Sequence, residues 1–150
     1  MIDLPAIEKL VPHATPMLLL DKLVESGDDY IVCELKVRSD GLFDTVERVP
    51  AWLGIEYMGQ TVAAYSGLQA YQRGESVKLG FLLGSRRFET NVADFACGDT
   101  LRVTAKRLVH GSSGMGAFEC AVEGYQTKQV AILTVYELAD QESFRRTIRQ

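Results

Sequence analysis

Residues 50–72, PAWLGIEYMGQTVAAYSGLQAYQ, constrain the fold more than any other part of the chain. This segment shows no strand-like alternation, begins with a proline suited to the first turn of a helix, and runs into Arg73-Gly74, a typical helix stop. Its small and apolar residues are spread around the whole helical circumference. Because such a helix is stable only when other structure encloses it, the sequence predicts one long buried helix.

Most of the remaining chain predicts β-structure. Apolar-rich or alternating segments separated by turn signals such as SGDD and GSSG indicate strands at 17–25, 30–37, 77–83, 101–106, 118–123 and 129–138. A short helix is predicted at 3–10, an irregular segment at 39–49, and a short surface helix or frayed tail beyond 139. One helix among five or six strands predicts an α+β fold in which an antiparallel sheet curls around the helix. A single sheet cannot cover the whole helix, so we expect a second protomer to complete the enclosure.

Composition narrows the classes of partner and cellular location. The chain has 150 residues, of which 47% are hydrophobic, and this predicts one domain spanning residues 1–150. A net charge of −4 without a basic cluster argues against nucleic acid and against an anionic membrane surface. Because there is no signal-like N-terminus and no apolar run of roughly 18 residues, we expect a cytoplasmic protein.

The cysteines and histidines do not predict a metal site. Cys33, Cys97 and Cys120 lie far apart in sequence, which favours buried free thiols over a disulfide or a metal role. The two histidines, His13 and His110, have no clustered cysteines or paired acids beside them. We therefore expect no bound metal.

Glu56 is the strongest candidate for a chemical role. It lies within the predicted buried helix, where an ionised carboxylate is costly unless its pKa is raised or a hydrogen-bond network satisfies it. Such groups concentrate at functional sites. Gln60 follows one helical turn later and can hydrogen-bond to the acid. The alternatives are that Glu56 faces solvent or an internal arginine, and that Gln60 is a polar core residue satisfied by backbone.

Two segments carry a resemblance to a known family. Residues 10–23, LVPHATPMLLLDKL, and residues 41–60, GLFDTVERVPAWLGIEYMGQ, resemble the 3-hydroxyacyl-acyl carrier protein dehydratases of the hotdog-fold superfamily, and the chain is similar to dehydratase subunits of aryl polyene pathways. The first segment is similar to LLPHRYPFLLVDRV, and the second aligns without a gap to G-H-F-P-G-x-P-x-x-P-G-V-L-x-x-E-x-x-x-Q. The matching residues are Pro12, His13, Pro16, Leu18, Leu19, Asp21, Gly41, Phe43, Pro50, Leu53, Glu56 and Gln60.

The resemblance implies a hotdog fold, in which an antiparallel sheet wraps around one long central helix and two hotdogs pair edge to edge with the active sites between them. It also implies that Glu56 holds the hydroxyl that leaves C3 of the acyl chain, while a histidine removes a proton from C2. A backbone N–H at the helix start, here that of Ala51, would polarise the thioester carbonyl. Gln60 and Phe43 would complete the substrate site.

One departure from the family pattern affects the catalytic base. Leu42 occupies the position of the family's catalytic histidine, and leucine cannot accept a proton. Leu42 would then only line the substrate site beside Phe43. His13 and Asp44 are the remaining candidates for the base within this chain, although His13 can instead orient the loop before the first strand. The resemblance also allows a related hotdog subunit to supply the histidine and to form one composite site with Glu56.

These residues lead to a prediction of function with alternatives. We predict a 3-hydroxyacyl-acyl carrier protein dehydratase that forms trans-2-enoyl thioesters in fatty acid or polyene-type biosynthesis. It needs no cofactor of its own, because the substrate is carried on the phosphopantetheine of acyl carrier protein. The predicted partners are that carrier, contacted through Arg86 and Arg87, and a second hotdog subunit in a homodimer or a heterodimer. The alternatives are a non-catalytic acyl-thioester-binding or scaffolding subunit, and an acyl thioesterase.

Overall fold

The computed structural model describes residues 4–11, 18–38, 47–74, 80–110 and 115–137. Within these ranges one long helix packs against an antiparallel sheet, as predicted. Helix α1 spans Gly54–Gln72 and directly follows a 3-10 turn at Ala51–Leu53. The strands are β1 Lys22–Ser26, β2 Tyr30–Lys36, β3 Arg48–Pro50, β4 Gly80–Thr90, β5 Asp94–Ala96, β6 Thr100–His110, β7 Met115–Gly124 and β8 Thr127–Glu137.

The ends of the helical segment lie where the sequence predicts them. Pro50, with φ −58°, precedes the 3-10 turn that leads into α1. At the other end, Arg73 donates its backbone N–H to the carbonyl oxygens of Gln69 and Ala70, and Gly74 adopts φ +69°. Glycine takes this left-handed conformation without a Cβ penalty, which is why the helix stops there.

The main sheet has six strands in the order β1-β2-β6-β7-β8-β4, and each neighbouring pair is antiparallel. Strands β3 and β5 form a separate two-stranded sheet just before the helix. Helix α1 contacts the main sheet through β2, β6, β7 and β8. One register row on the buried face crosses five strands and consists of Leu23, Cys33, Val103, Val122 and Gln129.

The opposite face of the sheet carries a row of charges that alternate in sign. This row, again in register across five strands, consists of Lys22, Glu34, Arg102, Glu123 and Lys128. Glu34 forms ion pairs with Lys22 at 3.5 Å and with Arg102 at 3.2 Å. Opposite charges on neighbouring strands stabilise the sheet modestly, and their exposure identifies this face as the solvent side.

The sheet covers only one side of α1. The other side, which we call the open side, consists of partly exposed residues at helical spacing: Ile55, Glu56, Gly59, Ala63 and Ser66. Trp52, just before the helix, is 55% exposed. Incomplete enclosure was expected from the sequence, because one sheet cannot surround a helix.

Several predicted boundaries were wrong. The helix expected at 3–10 is only a 3-10 turn at Ile7–Lys9, and β1 begins at Lys22 instead of residue 17. Strand β4 continues to Thr90, past the predicted end at residue 83. Among the described strands, β4 lies at the edge of the sheet and pairs with β8 alone, so it tolerates exposed residues such as Ser85 and Arg86 and its polar half gave no alternating pattern. The three-residue strands β3 and β5 are too short for a periodic signal.

Three predictions lie outside the described residues. They are the turn at 111–114, the tail beyond 139 and most of the segment 39–49.

The cysteines are free thiols. Cys33 and Cys120 are buried, as predicted, whereas Cys97 is partly exposed. Burial raises the pKa of the Cys33 thiol to about 12 and that of the Cys120 thiol to about 12. Among the described residues, no helix combines the length and the apolar character needed to cross a bilayer. The same ranges contain no group of three or more metal-binding side chains.

Candidate active site

Glu56 lies in the first turn of α1, on its open side. The sequence predicts a buried carboxylate, but the side chain is only partly buried, because the sheet covers the opposite side of the helix. Its place near the helix N-terminus is favourable, since the helix dipole and the N–H groups there stabilise negative charge. The helix N-terminus therefore stabilises the Glu56 carboxylate, and the partial exposure of the side chain makes it accessible from outside the chain.

Gln60 fixes the orientation of Glu56. Its Nε2 donates to Glu56 Oε1 at 3.0 Å, and its Oε1 accepts the backbone N–H of Leu19 at 2.9 Å. A backbone N–H can only donate, so the amide oxygen must face Leu19 and the NH₂ group must face the carboxylate. The hydrogen bond predicted from the spacing is present. The alternative prediction, that backbone satisfies a buried Gln60, also holds: the side chain is fully buried and accepts the Leu19 N–H.

The Leu19 end of this connection is itself anchored. Arg38 Nη2 donates to the Leu18 carbonyl oxygen at 2.8 Å, and its Nη1 lies 3.7 Å from Asp21 Oδ1. Asp21 also accepts the backbone N–H of Lys36 at 2.6 Å. These contacts fix the segment that contains Leu18, Leu19 and Asp21, three of the residues that carry the family resemblance. Sequence reasoning missed Arg38, although the β1–β2 hairpin register brings that end of β2 to Asp21.

The backbone of Ala51 is hydrogen-bonded in both directions. Its N–H donates to the Ala93 carbonyl oxygen at 3.0 Å, which continues the β3–β5 pairing by one residue. Its carbonyl oxygen accepts from Gln129 Nε2 at 2.9 Å and from the Gly54 N–H. The predicted use of the Ala51 N–H on a thioester carbonyl therefore requires that this group leave Ala93, and that role stays a prediction.

The remaining predicted residues either lie outside the described residues or lie on β4. His13, Leu42, Phe43 and Asp44 lie outside the described residues, and their roles stay predictions. Arg86 and Arg87 are exposed on β4, where Arg87 has φ 58° in an irregular stretch of the strand. Carrier binding through these two arginines is untested.

His110 lies toward the other end of the helix. The backbone of β6 passes Arg107, whose guanidinium carbon lies 5.5 Å from the centre of the Tyr65 ring, before it reaches residue 110. Tyr65 follows Glu56 by nine residues, which corresponds to roughly 13 Å along the helix axis. The backbone at residue 110 thus lies toward the end of the helix opposite Glu56.

Within the described ranges, one long helix against an antiparallel sheet is the architecture of a hotdog fold, and the Glu56 carboxylate is oriented at the start of that helix. The family model of the ApeP-like dehydratases, described as ApeP dehydratase, matches residues 5–146. The chain therefore belongs to the ApeP-like dehydratase family.

Curated relatives agree with this family. The 3-hydroxyacyl-[acyl-carrier-protein] dehydratase FabZ of Pseudothermotoga lettingae is 31% identical over 140 residues, covering 89% of this chain and 94% of the relative. The corresponding FabZ of Streptococcus gordonii is 33% identical over 113 residues, covering 71% and 76% of the two chains.

Solved structures agree with the fold. A chain of the dehydratase heterocomplex ApeI:P from Xenorhabdus doucetiae matches with a TM-score of 0.86 and 26% identity, covering 99% of this chain and 100% of that one. Protein PA5202 from Pseudomonas aeruginosa matches with a TM-score of 0.64 at 19% identity over 89% of this chain and 100% of that one, which supports the fold alone. The hotdog fold and the dehydratase family predicted from the sequence are confirmed.

Proposed function

We propose that this chain is the acid-bearing subunit of a 3-hydroxyacyl-acyl carrier protein dehydratase whose histidine comes from a related hotdog subunit. The observation that carries the proposal is the orientation of Glu56, which lies on the open side of α1 and accepts a hydrogen bond from the buried Gln60 amide. A carboxyl group fixed in this way can serve a substrate that approaches from outside the chain.

The reaction needs two groups, one at each carbon of the bond that becomes double. Protonated Glu56 gives its proton to the C3 hydroxyl, which leaves as water, while a base takes a proton from C2. The electron pair of the C2–H bond forms the new double bond. Gln60 positions Glu56 for the first transfer, and the N–H groups at the helix start favour the charge that develops on the thioester oxygen.

The second transfer is the reason for proposing a partner. The chain contains Leu42 where the resemblance places the histidine, and leucine cannot accept a proton. Glu56 lies among the partly exposed residues on the open side of α1, where it can face another subunit. The matching chain from Xenorhabdus doucetiae comes from a heterocomplex, which supports a heterodimer here, and the FabZ relatives support an acyl carrier protein substrate.

The test is hydration of a trans-2-enoyl thioester on acyl carrier protein, measured for the chain alone and after addition of a histidine-bearing hotdog subunit. We expect activity only in the mixture. Glu56→Gln should lower kcat by roughly 10²- to 10⁴-fold, the usual contribution of a general acid or base. Glu123→Gln, which removes an exposed carboxylate from the solvent face of β7, is the matched control and should leave kcat unchanged.

Two outcomes would contradict the proposal. Full activity of the chain alone would mean that His13 or Asp44 supplies the base, and no partner would be needed. Full activity of the Glu56→Gln mixture would mean that Glu56 is not the acid.

A further inference from the structure

Gln129 is a buried amide at the end of a sheet row that is apolar on β1, β2, β6 and β7. Its register partners are Val122 on β7 and Thr90 on β4, and its own side chain is fully buried on the inner face of β8. An amide at such a position is unfavourable unless its polar atoms are hydrogen-bonded. The contacts of Gln129 therefore need an explanation.

The Gln129 amide makes two hydrogen bonds through its nitrogen. Nε2 donates to the Ala51 carbonyl oxygen at 2.9 Å and to Thr90 Oγ1 at 3.0 Å. The Ala51 carbonyl can only accept, so the nitrogen must face it and the orientation of the amide is fixed. Strands β8 and β4 are thereby connected to the 3-10 turn that begins the helical segment.

The Gln129 oxygen has no hydrogen-bond partner among the described residues. It lies directly against Gly54, the first residue of α1, where a Cβ atom would overlap it. An unsatisfied buried acceptor is destabilising, so stability alone does not account for this side chain. What the amide provides is a close contact with both the turn at Ala51 and the first residue of the helix.

We propose that Gln129 is a positioning residue that fixes the start of α1 on the sheet and thereby sets the position of Glu56. This inference rests on the proposed function, because it concerns the same acid. Gln129 secures the backbone from Ala51 to Gly54, and Glu56 follows within the same turn. Gln60 then orients the carboxyl group from the other direction. Catalysis is sensitive to small displacements of this kind.

The first experiment does not depend on activity. Amide hydrogen exchange is measured by NMR for wild type and for Gln129→Leu, which keeps most of the volume and removes the donor. We expect exchange at Ala51 and in the first turn of α1 to become about tenfold faster, the effect of losing the hydrogen bond to the Ala51 carbonyl oxygen, with the amides of Val103 and Val122 unchanged. Unchanged exchange at Ala51, or uniform acceleration across the sheet, would overturn the proposal.

The second experiment uses the active mixture with the histidine-bearing subunit. Gln129→Leu should lower kcat by roughly 10- to 100-fold with little change in KM, because the acid is displaced while substrate binding is retained. Leu133→Val, a change on the same buried face of β8 without polar contacts, is the control and should keep kcat. A kcat within twofold of wild type for folded Gln129→Leu would overturn the proposal. If the wild-type mixture is inactive, the proposed function fails while the exchange experiment still tests Gln129.

Two further variants separate positioning from packing. Gln129→Glu has the same shape, and only its protonated form can donate to the Ala51 carbonyl, so its kcat relative to wild type should rise as pH falls. Gly54→Ala keeps Gln129 but pushes its amide away, and should reproduce the faster exchange at Ala51 if Gln129→Leu does not fold. A pH-independent ratio for Gln129→Glu, or normal exchange in Gly54→Ala, would count against the proposal.

Discussion

The two sides of helix α1 differ in the space around their glycines. On the side toward the rest of the chain, a Cβ at Gly54 would overlap the Gln129 side chain and a Cβ at Gly67 would overlap the Leu10 carbonyl oxygen. On the open side, a Cβ at Gly59 would have nothing within 4 Å in the described chain. Glycine inside a helix costs about 1 kcal/mol relative to alanine. Internal packing explains this cost at Gly54 and Gly67, whereas no contact within the described chain explains it at Gly59.

Gly67→Ala should have the largest effect on stability. The added methyl group collides with the backbone of Leu10, which cannot rotate away as a side chain can, so the N-terminal segment must shift. We expect the free energy of unfolding to fall by about 3 kcal/mol, the upper part of the usual range for overpacking. Urea denaturation of the purified variant measures the change. A variant as stable as wild type would mean that the N-terminal turn is not packed on α1 as described.

Gln60→Leu should have the next largest effect on stability. Compared with Glu56→Gln, it shows how the buried amide differs from the partly exposed acid. The substitution leaves the Leu19 N–H without its acceptor, so we expect a loss of about 2 kcal/mol in the free energy of unfolding. Glu56→Gln should change stability much less, because its side chain is partly exposed and an amide can still accept from Gln60. Equal losses in the two variants would contradict the difference between these positions.

The fold was predictable because its longest elements carry clear local signals. The strands 101–106 and 118–123 alternate over enough residues to define a period. The helix at 50–72 lacks that alternation and is bounded by Pro50 and by Arg73-Gly74, and all three elements lie where they were predicted. Strands β3 and β5 and the polar half of β4 were missed because pairing between distant segments, rather than local pattern, makes them strands.

The candidate site was predictable only in part. Helical spacing predicted the contact between Gln60 and Glu56, because it lies within one turn. The contacts of Arg38 with Leu18 and of Gln129 with Ala51 join residues 20 and 78 positions apart, and no local pattern signals them. The hydrogen bond from the Ala51 N–H to the Ala93 carbonyl oxygen likewise depends on a distant pairing, that of β3 with β5.

The buried thiols test how completely the covered side excludes solvent. Burial raises the pKa of Cys33 and of Cys120 to about 12 in the folded chain, from 9.0 without burial. The fold favours the protonated thiols. Their contribution to the free energy of unfolding is therefore full below pH 9 and is lost as the pH rises toward 12. At pH 10 each thiol should lower the free energy of unfolding by about 1 kcal/mol.

Urea denaturation at pH 8, 9 and 10 measures this loss. A Cys33→Ala/Cys120→Ala variant is the comparison, since it retains every other group that titrates in this range. The additional decline of wild type relative to this variant should appear only above pH 9. Parallel pH dependences would mean that the thiols are hydrated, and the covered side would then be less closed than described.

Gly59→Ala should have the smallest effect on the isolated chain, and in the opposite direction to Gly67→Ala. With open space around the new methyl group, the gain in helix propensity should raise the free energy of unfolding by about 0.5–1 kcal/mol. If a partner subunit or an acyl chain approaches α1 at this position, the same methyl group should weaken partner binding or raise KM in the mixture by about tenfold, which corresponds to about 1.4 kcal/mol. Calorimetric titration with the histidine-bearing subunit distinguishes these two occupants, because only a partner in contact with Gly59 changes the dissociation constant in the absence of substrate. A stabilised variant with normal binding and normal KM would leave the glycine without a role in assembly, and the open side of α1 would then be a solvent-facing surface beside Glu56 instead of an interface.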